Sequence, residues 1–177
     1  PSYPIYPARC QARHQAVPPA RLFPHNFAAW QDEGNSAMHV GMSTFFQNLT
    51  GEYDDRAIYR HELSMADLAE PLGFDSIWSA EHHFDGYTMC PNVMQFLTYM
   101  AGRTKHVQLG SMVVVLPWHD PVRLTEEIVM LDHVSDGRVI LGMGRGLGRI
   151  EFEGFQRDMG QSRERFIEYG RAIGISA

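Results

Sequence analysis

A chain of 177 residues that is 44% hydrophobic and 20% charged has the composition of an ordinary globular protein, one domain being the default, and not of a fibrous or disordered one. Its net charge of −6, without any basic run, argues against a nucleic-acid partner, and no stretch approaches the roughly 18 consecutive apolar residues of a membrane helix. Cys10 and Cys90 make neither a disulfide framework nor a zinc spacing, so a reducing compartment and a cytoplasmic location are expected.

Residues 1–37 hold six of the ten prolines and show no period of 2 or 3.6. They read as a disordered leader, either an extension or mistranslated upstream sequence. At Met38 the character changes, and Val40 to Phe46 is expected to be a first buried strand. From Ala57 to Leu72, Met65, Leu68, Ala69 and Leu72 recur at helical spacing, with Gly73 as the stop. Asp75 to His82 reads as a strand. Asn92 to Gly102 reads as a helix whose Val93, Phe96, Leu97 and Met100 share one side. Val107 to Leu116 is an apolar, β-branched run of the kind buried on both faces of a parallel sheet. Asp120-Pro121 caps and opens a helix through Ser135, with Leu124, Ile128 and Leu131 facing inward. Val139 to Gly144 is a fourth strand, and Ser162 to Ile173 a last amphipathic helix carrying Phe166, Tyr169 and Ile173.

Four βα units in series predict a parallel sheet with right-handed crossovers, either an open doubly wound sheet or part of a (β/α)8 barrel. Both folds place chemistry at the carboxyl ends of their strands. The residues of interest gather there: Phe46 and Asn48, Glu81 to Phe84, Pro117 to His119, and Gly144 to Gly148. A whole barrel needs about 250 residues, so this chain would make half of one.

The stretch SAEHHFDGY, Ser79 to Tyr87, sets an acid beside two histidines at a strand end. Side chains alternate along a strand, so Glu81 and His83 share a side while His82 takes the other. His82 is a candidate general acid or base, because an imidazole exchanges protons near neutral pH. Glu81 with His83 suggests a metal pair, but His61, His106, His119 and His133 supply no further ligand spacing, and no metal is expected. In GMGRGLG, Gly142 to Gly148, glycine at every second position would strip one face of a strand for a flat ligand, with Arg145 as an anion fork. It is not a dinucleotide fingerprint, since the register fails and no helix is expected to begin at once. Arg163 falls at a predicted helix start, where an anion is favoured. Phe46, Tyr87, Trp118 and Met112 near strand ends suit a pocket wall, with His83 beside them. Each also has a structural alternative: a hydrogen-bonded histidine at a core edge, a glycine-rich turn, a solvated arginine, ordinary core aromatics.

Taken together, SAEHHF, GSMVVVLPWHDPVRLTEEIVMLDHVSDGRVILGMGRG and DMGQSRERF resemble the bacterial luciferase-like monooxygenases, a flavin-dependent (β/α)8 family, from about Val40 to about Ile173. The resemblance implies roughly the first four βα units of such a barrel over residues 38–177, with two sheet edges unpaired. It implies reduced FMN, supplied by a separate flavin reductase, and dioxygen used to oxygenate a small apolar substrate by a homo- or heterodimer. By motif, His82 corresponds to the catalytic histidine. Met112-Val113 corresponds to a non-proline cis peptide under the flavin ring. Gly144, Arg145, Gly146 and Arg163 correspond to the cofactor side, with the two arginines on the phosphate. Where the light-emitting enzyme's alpha subunit carries a reactive cysteine before the arginine, this sequence has Gly144, which speaks against light emission. The alternatives within reach of the same barrel are F420-dependent hydride transfer and a non-catalytic flavin-binding or partner subunit.

Overall fold

The computed structural model describes residues 38–174, and the leader expected over residues 1–37 lies outside them. Six short strands follow one another along the chain: β1 (Gly41–Thr44), β2 (Ser76–Ser79), β3 (Gln108–Ser111), β4 (Val114–Val115), β5 (Val139–Ile140) and β6 (Met143–Gly144). They alternate with α1 (Asp55–Ala66), α2 (Val93–Ala101), α3 (Pro121–Val134), α4 (Arg149–Gly154) and α5 (Ser162–Ala172). The main sheet is parallel, in the order β1-β2-β3-β5, and β4 pairs in parallel with β6.

Strand alternation explains where the core sits. Met42, Ile77, Leu109 and Val139 are register partners across the sheet and join the apolar core with the helices. One position further on, Ser43, Trp78, Gly110 and Ile140 form the row on the other face. The flat indole of Trp78 lies across Gly41 and Gly110. A Cβ on Gly41 would come 2.5 Å from Trp78 Nε1, and one on Gly110 would collide with the same ring.

The helices form where capping and periodicity agree. The side chain of Asn92 accepts from Gln95 N at 2.8 Å, and α2 buries Val93, Met94, Phe96, Leu97, Met100 and Ala101. Full burial of such a large apolar side chain contributes roughly 1.5–3 kcal/mol. Asp120 caps α3 by accepting from Val122 N and Arg123 N, with Pro121 in the first turn, and Leu124, Ile128 and Leu131 face inward.

Several sequence expectations are corrected. The first helix starts at Asp55 and ends at Ala66, and the chain then runs in turns to Gly73. Within the helix Met65 is exposed while Ala66 is buried, and beyond it helical phase is lost, so Leu68 and Leu72 are exposed while Ala69 is buried. The expected strand from Val107 to Leu116 divides into β3 and β4 around the Met112-Val113 peptide, which is cis. The strand from Val139 to Gly144 divides at the same level. There Ser111 Oγ donates to Gly142 O (2.8 Å) and accepts from Gly142 N (3.0 Å), so a side chain takes the bonds a ladder would otherwise use. A helix does begin directly after the glycine run: Gly148 is the N-cap of α4. The glycines of that run mainly accommodate protein neighbours. A Cβ on Gly142 would strike the Ser111 carbonyl, and one on Gly144 would lie 2.5 Å from Val113 Cγ2.

Candidate functional site

Parallel strands bring all their carboxyl ends to one rim, and a cavity of about 370 Å³ opens there, within the range of small-ligand pockets. The segment after β2 contributes Ala80, Glu81 and His82, and the β3–β4 segment contributes Met112, Val113, Val115 and Trp118. Beyond β6 come Arg145, Gly146, Leu147 and Gly148, and α4 adds Glu151.

The expected strand from Asp75 to His82 ends at Ser79, so the two histidines lie in the segment beyond it, yet they still part. His82 lines the cavity with its side chain 33% exposed. Its ring Nδ1 lies 3.0 Å from Glu151 Oε1, and Tyr87 meets its ring edge-on at 5.2 Å between centroids. His83 turns away into an aromatic cluster, with Trp118 and Phe155 edge-on at 5.4 and 4.6 Å, and its Nε2 lies 3.0 Å from Glu81 Oε1. Glu81 and His83 therefore do share a side.

Glu81 is 2% exposed and accepts three bonds, from Val115 N (2.8 Å), His119 Nε2 (2.7 Å) and His83 Nε2. Burial pushes its carboxyl up, but the hydrogen bonds from His119 and His83 outweigh that and hold it below the usual carboxylate range. In His119, burial favours the neutral ring, yet the bond to Glu81 and its charge win and raise the imidazole above its ordinary value. Cys90 is the opposite case: burial pushes its thiol up to about 11, leaving it an inert core residue. Among the described residues no group of three or more His, Cys, Asp or Glu could hold a metal ion.

The other expected site residues are placed as follows. Arg145 and Gly146 line the cavity, and Gly146, at φ 78°, would set a Cβ 2.9 Å from Val115 Cγ1, so only glycine suits it. Gly144 lies under Val113 and outside the lining. Arg163 sits exposed in the first turn of α5, and the structure does not bring it to the cavity. Phe46 is buried in the core against Tyr59 and Phe96, and so is no wall of this cavity. Sequence reasoning missed Glu151, also 2% exposed. The readable signal was a glutamate at the third position of a helix opened by Gly148, with Phe152 and Phe155 after it.

The family resemblance implies FMN, and the residues present fit it. Met112, Val113, Val115 and Leu147 offer an apolar surface for a flat ring. Arg145 makes no ion pair among the described residues, so its guanidinium is available to a phosphate. Trp118 Nε1 is buried without a hydrogen-bond partner among the described residues, a donor that a ring carbonyl or nitrogen would satisfy.

The family model described as luciferase-like monooxygenase matches residues 38–174. The chain is 30% identical to the oxygenase component of the flavin-dependent trigonelline monooxygenase of Acinetobacter baylyi, over 66% of this chain and 32% of that protein. The monooxygenase RslO1 from Streptomyces bottropensis superposes with a TM-score of 0.72 at 32% identity, over 77% of this chain and 42% of the other. The oxygenating constituent of 3,6-diketocamphane monooxygenase from Pseudomonas putida, in complex with FMN, superposes with a TM-score of 0.70 at 24% identity, over 77% and 38%. That last likeness speaks for the fold alone. The match spans about a third of the length of the curated relatives. The βα units described above are thus part of a (β/α)8 barrel, as the sequence led one to expect.

Proposed function

The chain belongs to the luciferase-like monooxygenases, and on that premise we propose that it oxygenates a small apolar organic substrate with dioxygen and reduced FMN. The observation that carries this reading is one and the same cavity in which His82 and the guanidinium of Arg145, without an ion pair among the described residues, flank an apolar surface built on Met112 and Val113. Bound reduced FMN would supply the activation of dioxygen. The chain's own residues would do the rest. Arg145 holds the phosphate by a charge-assisted bond. Met112, Val113 and Val115 support the ring and keep water from its face. His82 exchanges a proton through the nitrogen that Glu151 leaves free. Trp118 borders the space for substrate, and Tyr87, outside the cavity lining, packs edge-on against His82.

A separate flavin reductase as partner is supported by the relative named as an oxygenase component. Assembly as a homo- or heterodimer belongs to the same proposal. Among the described residues no helix is long and apolar enough to cross a membrane.

The test is oxygen-dependent product formation by the chain with reduced FMN and a panel of apolar substrates. His82→Ala is expected to lower turnover by about 10²–10⁴-fold, the usual contribution of a positioned acid or base, with FMN binding retained. Turnover equal to wild type would remove His82 from the reaction. Tighter binding of F420 than of FMN would replace oxygenation with hydride transfer as the preferred chemistry.

A further inference from the structure

We propose that Glu151 is the positioning residue of His82, locking its ring as the Nδ1-protonated tautomer so that Nε2 remains the proton-accepting nitrogen. The proposal rests on the reading of His82 as the proton-transfer residue and says what makes that histidine usable. The geometry is specific. A single oxygen, Glu151 Oε1, lies 3.0 Å from His82 Nδ1 and 3.0 Å from the backbone nitrogen of His83. The same carboxylate therefore holds both the ring and the main chain that carries it. An ionised carboxylate can only accept, so Nδ1 must donate, and in a neutral imidazole the other nitrogen is then the acceptor. Nε2 has no hydrogen-bond partner among the described residues.

The chain around Glu151 is shaped to keep it there. A Cβ on Gly148, the N-cap of α4, would collide with Glu151 Oε2, so glycine at that position leaves the room the carboxylate occupies. At the other end of α4, a Cβ on Gly154 would strike the ring of Phe84, the residue that follows the histidine pair. Phe152 packs with Val115 and Trp118. The helix is thus seated against Phe84 in the segment after β2 and against Val115 and Trp118 beyond it, which holds its buried acid beside the histidine pair.

The neighbouring histidine is held in the opposite sense. Glu81 takes Nε2 of His83, which assigns the Nε2-protonated tautomer there. Two adjacent imidazoles on one strand end are thereby fixed as different tautomers by two different acids, and only His82 lines the cavity. This explains why the sequence can carry two histidines in a row without either substituting for the other.

The test reads the tautomer directly. Long-range proton–nitrogen correlation spectra of the ¹⁵N-histidine-labelled full chain, at about pH 8.5 where an ordinary imidazole is neutral, are expected to show a pyrrole-like Nδ1 and a pyridine-like Nε2 for His82. Assignment is by loss of the signals in His82→Ala. Glu151→Gln is expected to give mixed or reversed tautomers, since an amide can donate as well as accept. Gly148→Ala, which leaves the acid intact but displaces it, is expected to move the population the same way and serves if the glutamine variant does not fold. A protonated Nε2 in the wild-type chain would overturn the proposal, as would an unchanged tautomer in a folded Glu151→Gln chain. With reduced FMN, Glu151→Gln is expected to lower kcat by about 10–100-fold with little change in KM. The tautomer spectra test Glu151 whatever the turnover. If His82→Ala keeps full activity while Glu151 still sets the tautomer, the catalytic role of His82 fails and the positioning stands.

Discussion

Replacing His119 by glutamine isolates the charged part of the bond to Glu81, because the amide can still donate to the carboxylate but can never carry the positive charge. His119 Nε2 lies 2.7 Å from Glu81 Oε1, and the side chains are 21% and 1% exposed, so solvent screens the pair only in part. A hydrogen bond to a charged partner contributes about 1.5–3 kcal/mol and a neutral one about 1 kcal/mol, leaving a difference of roughly 1–2 kcal/mol for the charge. The sign follows from the raised pKa of His119. Its contribution is complete below the unfolded value of about 6.5 and fades as pH rises through the higher folded value. Glu81, held below its usual range, remains ionised throughout that interval. Urea titrations of both chains, followed by circular dichroism from about pH 5 to 9, should therefore show the glutamine variant less stable at pH 5–6 and the gap closing above neutrality. A gap that stays constant, or widens with pH, would refute the idea that an imidazolium is buried beside Glu81.

Three other expectations have equally direct measurements. Gly110→Ala drives a methyl group into the Trp78 ring and should cost about 1–3 kcal/mol, read as a lower thermal midpoint; equal stability would mean that the indole yields freely. Arg145→Ala should weaken FMN binding about 10–100-fold, the loss of one charge-assisted contact, without a change in the circular dichroism spectrum, and unchanged affinity would place the phosphate elsewhere. Glu70 accepts from the backbone nitrogens of Lys105, His106 and Val107 just before β3. Burial works against its charge, but those bonds lower its carboxyl below the ordinary value, so its contribution is present above about pH 4.5 and lost as pH falls through the folded value. Glu70→Ala should cost about 1–2 kcal/mol at pH 7 and markedly less near pH 3; an equal deficit at both would show that the carboxylate charge is irrelevant there.

Much of this architecture is readable from local pattern. The spacing of Val93, Phe96, Leu97 and Met100, the caps at Asn92 and Asp120, and the β-branched run before Leu116 act within one or two turns of chain, where periodicity and capping are determined by neighbours in sequence. The expected pairing of Glu81 with His83 is also found, although β2 ends at Ser79 and strand alternation no longer applies there. What only the tertiary structure decides are the contacts between distant segments. Glu151 reaches His82 across 69 positions, and no periodicity connects a short helix after a glycine run to a histidine on another strand. Ser111 interrupts two ladders by bonding Gly142, and Phe46 withdraws into the core because Tyr59 and Phe96 come to meet it. A glycine likewise has no side chain to announce its neighbour. Whether it clears space for a ligand or for Val113 depends on which strand lies beside it, and that is settled by parallel register rather than by the residues on either side.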